Sequence, residues 1–215
     1  MPTLNRIQPG LLLLLSLVAM IVLHPVLDQG VIRRLFMQLM IFVPVLLATI
    51  RLSEIKHRVW PAVFLMSASM IFAVAAAFWP HPGLLTMKWA LLAVFFALTV
   101  AGLFSYLRNA RSVTEAHLFT AISIYLLLGM LWFSLYCAID ICYPGSILLH
   151  STSSRETELL YFSLVTLSTV GYGDIVPLYG EVRMLAALEA ITGILYIAIT
   201  VAILVSSFRH QDGSR

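Results

Sequence analysis

The chain has 215 residues, of which 61% are hydrophobic and 11% charged, with a mean hydropathy of +0.98 and a net charge of +3. A soluble domain is roughly one-quarter charged, so the missing charge points to lipid and excludes an ordinary water-soluble core. The small basic excess then belongs to loops at a membrane surface and implies no nucleic-acid partner.

The first apolar run, Leu11–Leu27, is flanked by Arg6 and by Arg33 and Arg34. Its basic start resembles a signal peptide, but no small-x-small site follows Met20, so the run reads as an uncleaved helix. A second run, Leu35–Ile50, carries Pro44 and ends at Arg51. Both runs are short, about 24–26 Å as helices, and need snorkelling arginines or local bilayer thinning to span. Pro44 predicts a kink of the kind a membrane bundle tolerates. The third run, Trp60–Trp79, has an indole at each end, as interfacial anchors do. Pro80-His81-Pro82-Gly83 predicts a tight reversal into a fourth run, Leu84–Leu107, interrupted by Lys88.

A fifth run covers Ala116–Ile139, followed by a polar stretch, Asp140–Thr157, and a short apolar segment, Glu158–Ser168. Helical, that segment spans only about 16 Å, against a bilayer core of about 30 Å. Ser153-Ser154-Arg155-Glu156 offers a capping box to start it. The glycine motif Thr169-Val170-Gly171-Tyr172-Gly173-Asp174 comes next, and then a last run, Val182–Phe208. A short helix followed by extended backbone between two long helices reads as a re-entrant loop. Non-helical backbone survives at that depth only inside protein or along a pore. Gly171 and Gly173 suit a strand whose successive carbonyls point the same way, since such a strand visits conformations that L-residues avoid.

If the loop enters from outside, six crossings put both termini in the cytoplasm. Arg6, Arg51, Lys56, Arg58, Arg108, Arg111, Arg209 and Arg215 then lie inside, eight of the thirteen basic residues. Arg33, Arg34, Lys88, Arg155 and Arg183 fall outside or near the outer face.

Thr166-Leu167-Ser168-Thr169-Val170-Gly171-Tyr172-Gly173-Asp174 closely resembles the signature of tetrameric potassium channels. The resemblance is specific for the last hundred residues and loose for residues 1–110, where the layout is similar to small prokaryotic six-helix channels. It implies an all-α membrane protein with six transmembrane helices, a re-entrant pore helix and a filter loop, assembled as a homotetramer. The expected division is a four-helix domain at 1–110, a pore domain at 111–208 and a cytoplasmic tail at 209–215. Within the pore domain the resemblance implies an outer helix at 116–139, a pore helix at 156–168, a filter at 169–173 and an inner helix at 182–208.

By the same resemblance the carbonyls of Thr169, Val170, Gly171 and Tyr172, with the Thr169 hydroxyl, form the ion sites. Gly173 closes the outer end and Asp174 stands at the mouth, where four carboxylates concentrate cations. One strand cannot surround an ion, so one loop per chain demands four chains. Thr166 is expected to pack or hydrogen-bond behind the filter. Relatives often carry two tryptophans where this chain has Tyr161 and Phe162, and some carry a glutamate where Val165 stands. The Phe162 ring cannot donate toward Tyr172, and Val165 cannot pair with Asp174.

Three features of the last helix stay open. Gly193 is either a bending point or a small residue allowing close packing. Ile197, Val201 and Val205 share a helix face that lines the cavity exit or meets lipid. Glu189, an intramembrane acid, either bonds behind the filter to Ser163 or Thr166, or acts as a proton-sensitive gate.

Voltage sensing needs several charges crossing the field, and the fourth run offers only Lys88 and Arg108, so steep voltage gating is not expected. His57 sits in a basic loop suited to anionic lipid, and His117 is a weaker pH-sensing candidate. Cys137 and Cys142 read as small apolar residues, with inter-subunit pairing of Cys142 left open. The expectation is a non-enzymatic, cofactor-free channel in the cell (inner) membrane, with K+ as permeant ion and identical subunits and lipid as partners. The alternatives are a non-selective cation channel and a non-conducting scaffold or accessory subunit.

Overall fold

A computed structural model describes residues 9–24, 43, 46–47, 60–79, 81–109, 114–149 and 154–212. Among the described residues, the continuous helices are, in chain order, α1 (Pro9–Leu23), α2 (Trp60–Phe78), α3 (Pro82–Arg108), α4 (Glu115–Cys142), α5 (Arg155–Leu167) and α6 (Gly180–Asp212). A two-residue antiparallel clip joins β1 (Ile147–Leu148) to β2 (Val176–Pro177), pairing Ile147 with Pro177 and Leu148 with Val176. α3, α4 and the Gly180–Ser206 part of α6 are long and apolar enough to cross a membrane, whereas the apolar stretches of α1 and α2, Gly10–Leu23 and Val63–Ala76, are shorter.

The ends of these helices have local causes. α1 stops at Leu23, short of the expected Leu27, because His24 precedes Pro25 and the α conformation is disfavoured there. α3 begins two residues before the apolar run, with Pro82 at its first position and the His81 Nδ1 accepting from Gly83 N at 3.1 Å. α4 runs to Cys142 and not Ile139, since Asp140 finds a partner on α5 and does not end the helix. α6 begins at Gly180 and carries Arg209–Asp212, so part of the expected tail continues the helix. The second apolar run lies mostly outside the described residues, although Val43, Leu46 and Leu47 are helical.

One core runs through helices on both sides of residue 110. α1 lies parallel to α4, with Gly10 against Ala116, Phe119 and Thr120, and His24 edge-on to Phe133 at 6.4 Å. Leu13, Leu17 and Met20 of α1 are fully buried. α3 packs against α4 through Trp89 and Phe133, whose rings meet edge to face at 5.1 Å. In lipid such contacts gain dispersion and no hydrophobic transfer energy, so polar groups must be satisfied within the protein. Thr99, Thr120, Ser123 and Ser134 accordingly donate to carbonyls four residues back, at 2.9, 2.7, 2.8 and 2.8 Å.

The junction of α4 and α5 is clamped by charge. Arg155, opening α5, donates through Nε and Nη2 to the two carboxylate oxygens of Asp140, near the end of α4. The fork fixes orientation as well as distance. Arg155→Gln leaves the buried Asp140 carboxylate without its cation. Thermal unfolding of detergent-solubilised protein should fall by the equivalent of about 1–2 kcal/mol, a figure reduced because Arg155 is half exposed. An unchanged unfolding temperature would show that the clamp contributes nothing.

Candidate functional site

Ser154 caps α5, its Oγ accepting from Thr157 N at 3.3 Å. The cap is therefore one residue later than the Ser153–Glu156 box the sequence suggested, and the helix occupies Arg155–Leu167, not 156–168. His24 of α1 reaches this same turn, with its Nδ1 3.0 Å from Thr157 Oγ1.

The other end of α5 shapes the glycine motif. Ser168 N bonds Leu164 O at 3.1 Å and Thr169 N bonds Thr166 O at 2.9 Å. Val170 N and Gly171 N both bond Val165 O, at 2.9 and 3.2 Å. A trans peptide sets each carbonyl opposite the next N–H. The Thr169 and Val170 carbonyls therefore leave α5 in a common direction. Backbone handedness alternates over the same residues, with φ of 61° at Thr169, 48° at Gly171 and 81° at Gly173. Glycine takes that conformation freely, but Thr169 pays about 1–2 kcal/mol for it. The sequence marked the two glycines and gave no warning of Thr169.

Ser168 through Asp174 are exposed in the single chain, Val170 at 52% and Tyr172 at 73%. Tyr161 stacks on Tyr172 with ring centroids 6.4 Å apart, and its hydroxyl faces the Asp174 carboxylate. Asp174 Oδ1 also accepts from Ile175 N at 3.1 Å. Phe162 turns the other way, buried edge-on against Tyr136 at 5.0 Å. Val165 and Thr166 serve the motif through backbone carbonyls.

Behind the motif, three helices meet on one carboxylate. Glu189 of α6 is fully buried. Its Oε1 lies 2.6 Å from Ser163 Oγ of α5, and its Oε2 accepts from the Tyr136 hydroxyl of α4 at 2.7 Å. Of the two partners suggested by sequence, Ser163 meets the acid. Ser163 Oγ also lies 2.9 Å from Gly129 O, where α4 and α5 cross closely. Lower down, Tyr125 of α4 donates to Leu167 O at 3.3 Å, and Tyr196 of α6 donates to Ala121 O at 2.6 Å. Sequence reading passed over Tyr136, Tyr125 and Tyr196, although a phenol within an apolar helix requires an acceptor.

Gly193 is a point of close packing. A Cβ placed there would sit 2.0 Å from Leu167 O and 3.0 Å from the Leu167 carbonyl carbon. Val182, Glu189, Gly193 and Thr200 form the buried stripe of α6, whereas Ile197, Val201 and Val205 are exposed at 51%, 53% and 49%.

These contacts separate the two readings of Gly193. An added methyl must push α6 away from the end of α5, a cost of about 1–3 kcal/mol for overpacking. At a free bending point, alanine would instead stabilise the helix by about 0.5–1 kcal/mol. Gly193→Ala should therefore lower the unfolding temperature of purified protein; a rise would favour the hinge.

A family model described as "Ion channel" matches residues 94–210, more than half of the chain. The chain is 44% identical over 50 residues to a voltage-gated potassium channel protein of Caenorhabditis elegans, covering 23% of this chain and 9% of that protein. It is 32% identical over 89 residues to potassium voltage-gated channel subfamily A member 2 of Canis lupus familiaris, covering 39% and 18%. It is 37% identical over 76 residues to two-pore potassium channel 4 of Arabidopsis thaliana, covering 34% and 26%. The chain thus spans between about a tenth and a quarter of the length of these relatives. No solved structure matches it. With its matched region running from within α3 through nearly all of α6, the chain belongs to the ion channel family.

Proposed function

We propose that this chain is one subunit of a potassium-selective channel, a homotetramer conducting K+ passively along its four-fold axis. The observation that carries the reading is the direction of the backbone between Thr169 and Gly173. Val165 takes two successive N–H groups, and left-handed residues alternate with right-handed ones. A strand built this way offers a column of carbonyl oxygens able to replace the hydration shell of a bare cation.

In this reading the carbonyls of Thr169, Val170, Gly171 and Tyr172, with the Thr169 hydroxyl, bind the ion. Gly173 and Asp174 form the outer mouth, with Tyr161 holding Tyr172 and the Asp174 carboxylate in place. α4, α5 and α6 act as outer, pore and inner helix. One column provides a quarter of a coordination shell, which is why four chains are needed. The exposed apolar face of α6, with Met184, Leu188, Ile191 and Ile194, is available to neighbouring subunits and lipid. Ile197, Val201 and Val205 would line the exit, where a narrow apolar ring closes a pore by dewetting.

Six crossings with both termini in the cytoplasm and the cell membrane as location complete the proposal. Voltage gating is weak in this reading because α3 offers few charges, and Lys88 among them sits 3.7 Å over the Trp89 ring.

Purified protein in liposomes with opposed K+ and Na+ gradients tests the proposal. A reversal potential following K+, together with a cross-linked tetramer, is the expected outcome. A potential indifferent to the cation would make the pore non-selective. Zero flux from intact tetramers would leave a non-conducting scaffold.

A further inference from the structure

Around Glu189 the hydrogen-bond contacts outnumber the protons available to fill them when the acid is ionised. Ser163 Oγ lies 2.6 Å from Glu189 Oε1 and 2.9 Å from the Gly129 carbonyl oxygen. A serine hydroxyl has one proton, whereas a carboxylate and a peptide carbonyl are both acceptors only. With Glu189 ionised, one proton must be shared between the two contacts. With Glu189 protonated, each contact gains its own proton: Oε1–H donates to Ser163, and Ser163 donates to Gly129. Tyr136 donates to Oε2 in either case.

The surroundings favour the second count. The Glu189 side chain is fully buried, and among the described residues no Lys, Arg or His forms an ion pair with it. Burial of a carboxylate without a cation is far costlier than burial of a hydrogen-bonded acid. The titratable groups nearest it from α4 are Tyr136, in contact, and Tyr125, within electrostatic reach. Neither carries positive charge in any state. On α5 the nearest ionisable residues before Ser163 are Tyr161 and, about a turn further along, Glu158, neither of which can supply a positive charge. On α6, Glu181 and Arg183 lie about two turns outward and Tyr196 about two turns inward.

We propose that Glu189 is a positioning residue that is neutral at neutral pH, a protonated acid whose single proton completes a hydrogen-bonded line from α6 through α5 to α4. It bridges the inner helix to the short helix whose last carbonyls orient the motif. The neutral state also spares a tetramer four negative charges behind the conduction path. That electrical consequence rests on the channel reading, whereas the protonation state does not.

Infrared difference spectra of purified wild-type protein against Glu189→Gln test the chemistry without any flux. At neutral pH the wild type should show a protonated-carboxyl C=O stretch, shifted by 13C-glutamate labelling and missing from the variant. A difference confined to ionised-carboxylate bands would overturn the proposal.

Flux provides the second arm. The Gln amide can donate to Ser163 and accept from Tyr136, so Glu189→Gln should stay within about twofold of wild type, while Glu189→Ala loses about tenfold or more. Wild-type flux should fall as pH is raised far enough to ionise the acid, and Glu189→Gln flux should not. Equal damage in Gln and Ala would mean that a charged Glu189 is required. If Glu189→Ala does not fold, the Gln pH profile and the infrared band still decide. Should the wild type conduct nothing, the channel reading fails and the band alone decides the protonation state.

Discussion

A helix end leaves its last carbonyls unpaired, and the rest of the site follows from how the N–H groups of Ser168–Gly171 take up those of α5. Their four N–H groups go to the last carbonyls of α5, with Val165 taking two of them. Those bonds occupy the Leu164, Val165 and Thr166 carbonyls, turn the Thr169 and Val170 carbonyls away from the helix, and go with a left-handed residue at Thr169. The strain at Thr169 is tolerable because the surrounding bonds over-determine it. α5 must therefore be held firmly, and its neighbours do so at both ends. Asp140 and His24 grip its first turn, while Tyr125 and Gly193 approach its last carbonyl.

The polar contacts among α4, α5 and α6 are few and placed where the helices come closest. Gly129 lets α5 approach α4, and Gly193 lets α6 approach the end of α5. Ser163, Tyr136 and Glu189 then fill the space between these two crossings. Small residues bring backbones together and hydroxyls fix their register, which is how helices associate when the solvent is as apolar as their side chains. The aromatic rings of Phe162 and Tyr136 pack the remaining gap.

Much of this architecture was legible in the sequence. Run lengths separated the short segment before the motif from the long helices, because a bilayer imposes a minimum length. The motif itself was readable since its chemistry is backbone chemistry, and only glycine relieves that geometry at two of its positions. Side-chain pairing was less visible. Glu189 announced itself as a costly acid, and Ser163 was among its suggested partners, but Tyr136 lies 53 residues away and no local pattern connects them. Asp140 and Arg155 looked like ordinary loop charges, and only the fold brings them together. Gly193 was ambiguous for the same reason: bending and close approach call for the same residue, and the Leu167 carbonyl beside it comes into view only in the fold. The continuity of the core across residue 110 was also hidden, because apolar runs all look alike and nothing in them says which will touch.

The seat of α1 against α4 bears on how the chain assembles as it is made. Gly10 rests on a surface more than a hundred residues later in the sequence, and Leu13, Leu17 and Met20 are buried in the same core. α1 is synthesised before α4, so its permanent neighbour does not exist until α4 has emerged. In the interval the face carrying Gly10, Leu13, Leu17 and Met20 must rest against lipid or a transient protein neighbour. Long-range contacts of this kind form slowly, since the intervening chain has to be ordered before they repay its entropy. Docking of α1 is thus a late step, and the wall behind α5 closes only when a helix made well before its neighbour finally settles against it.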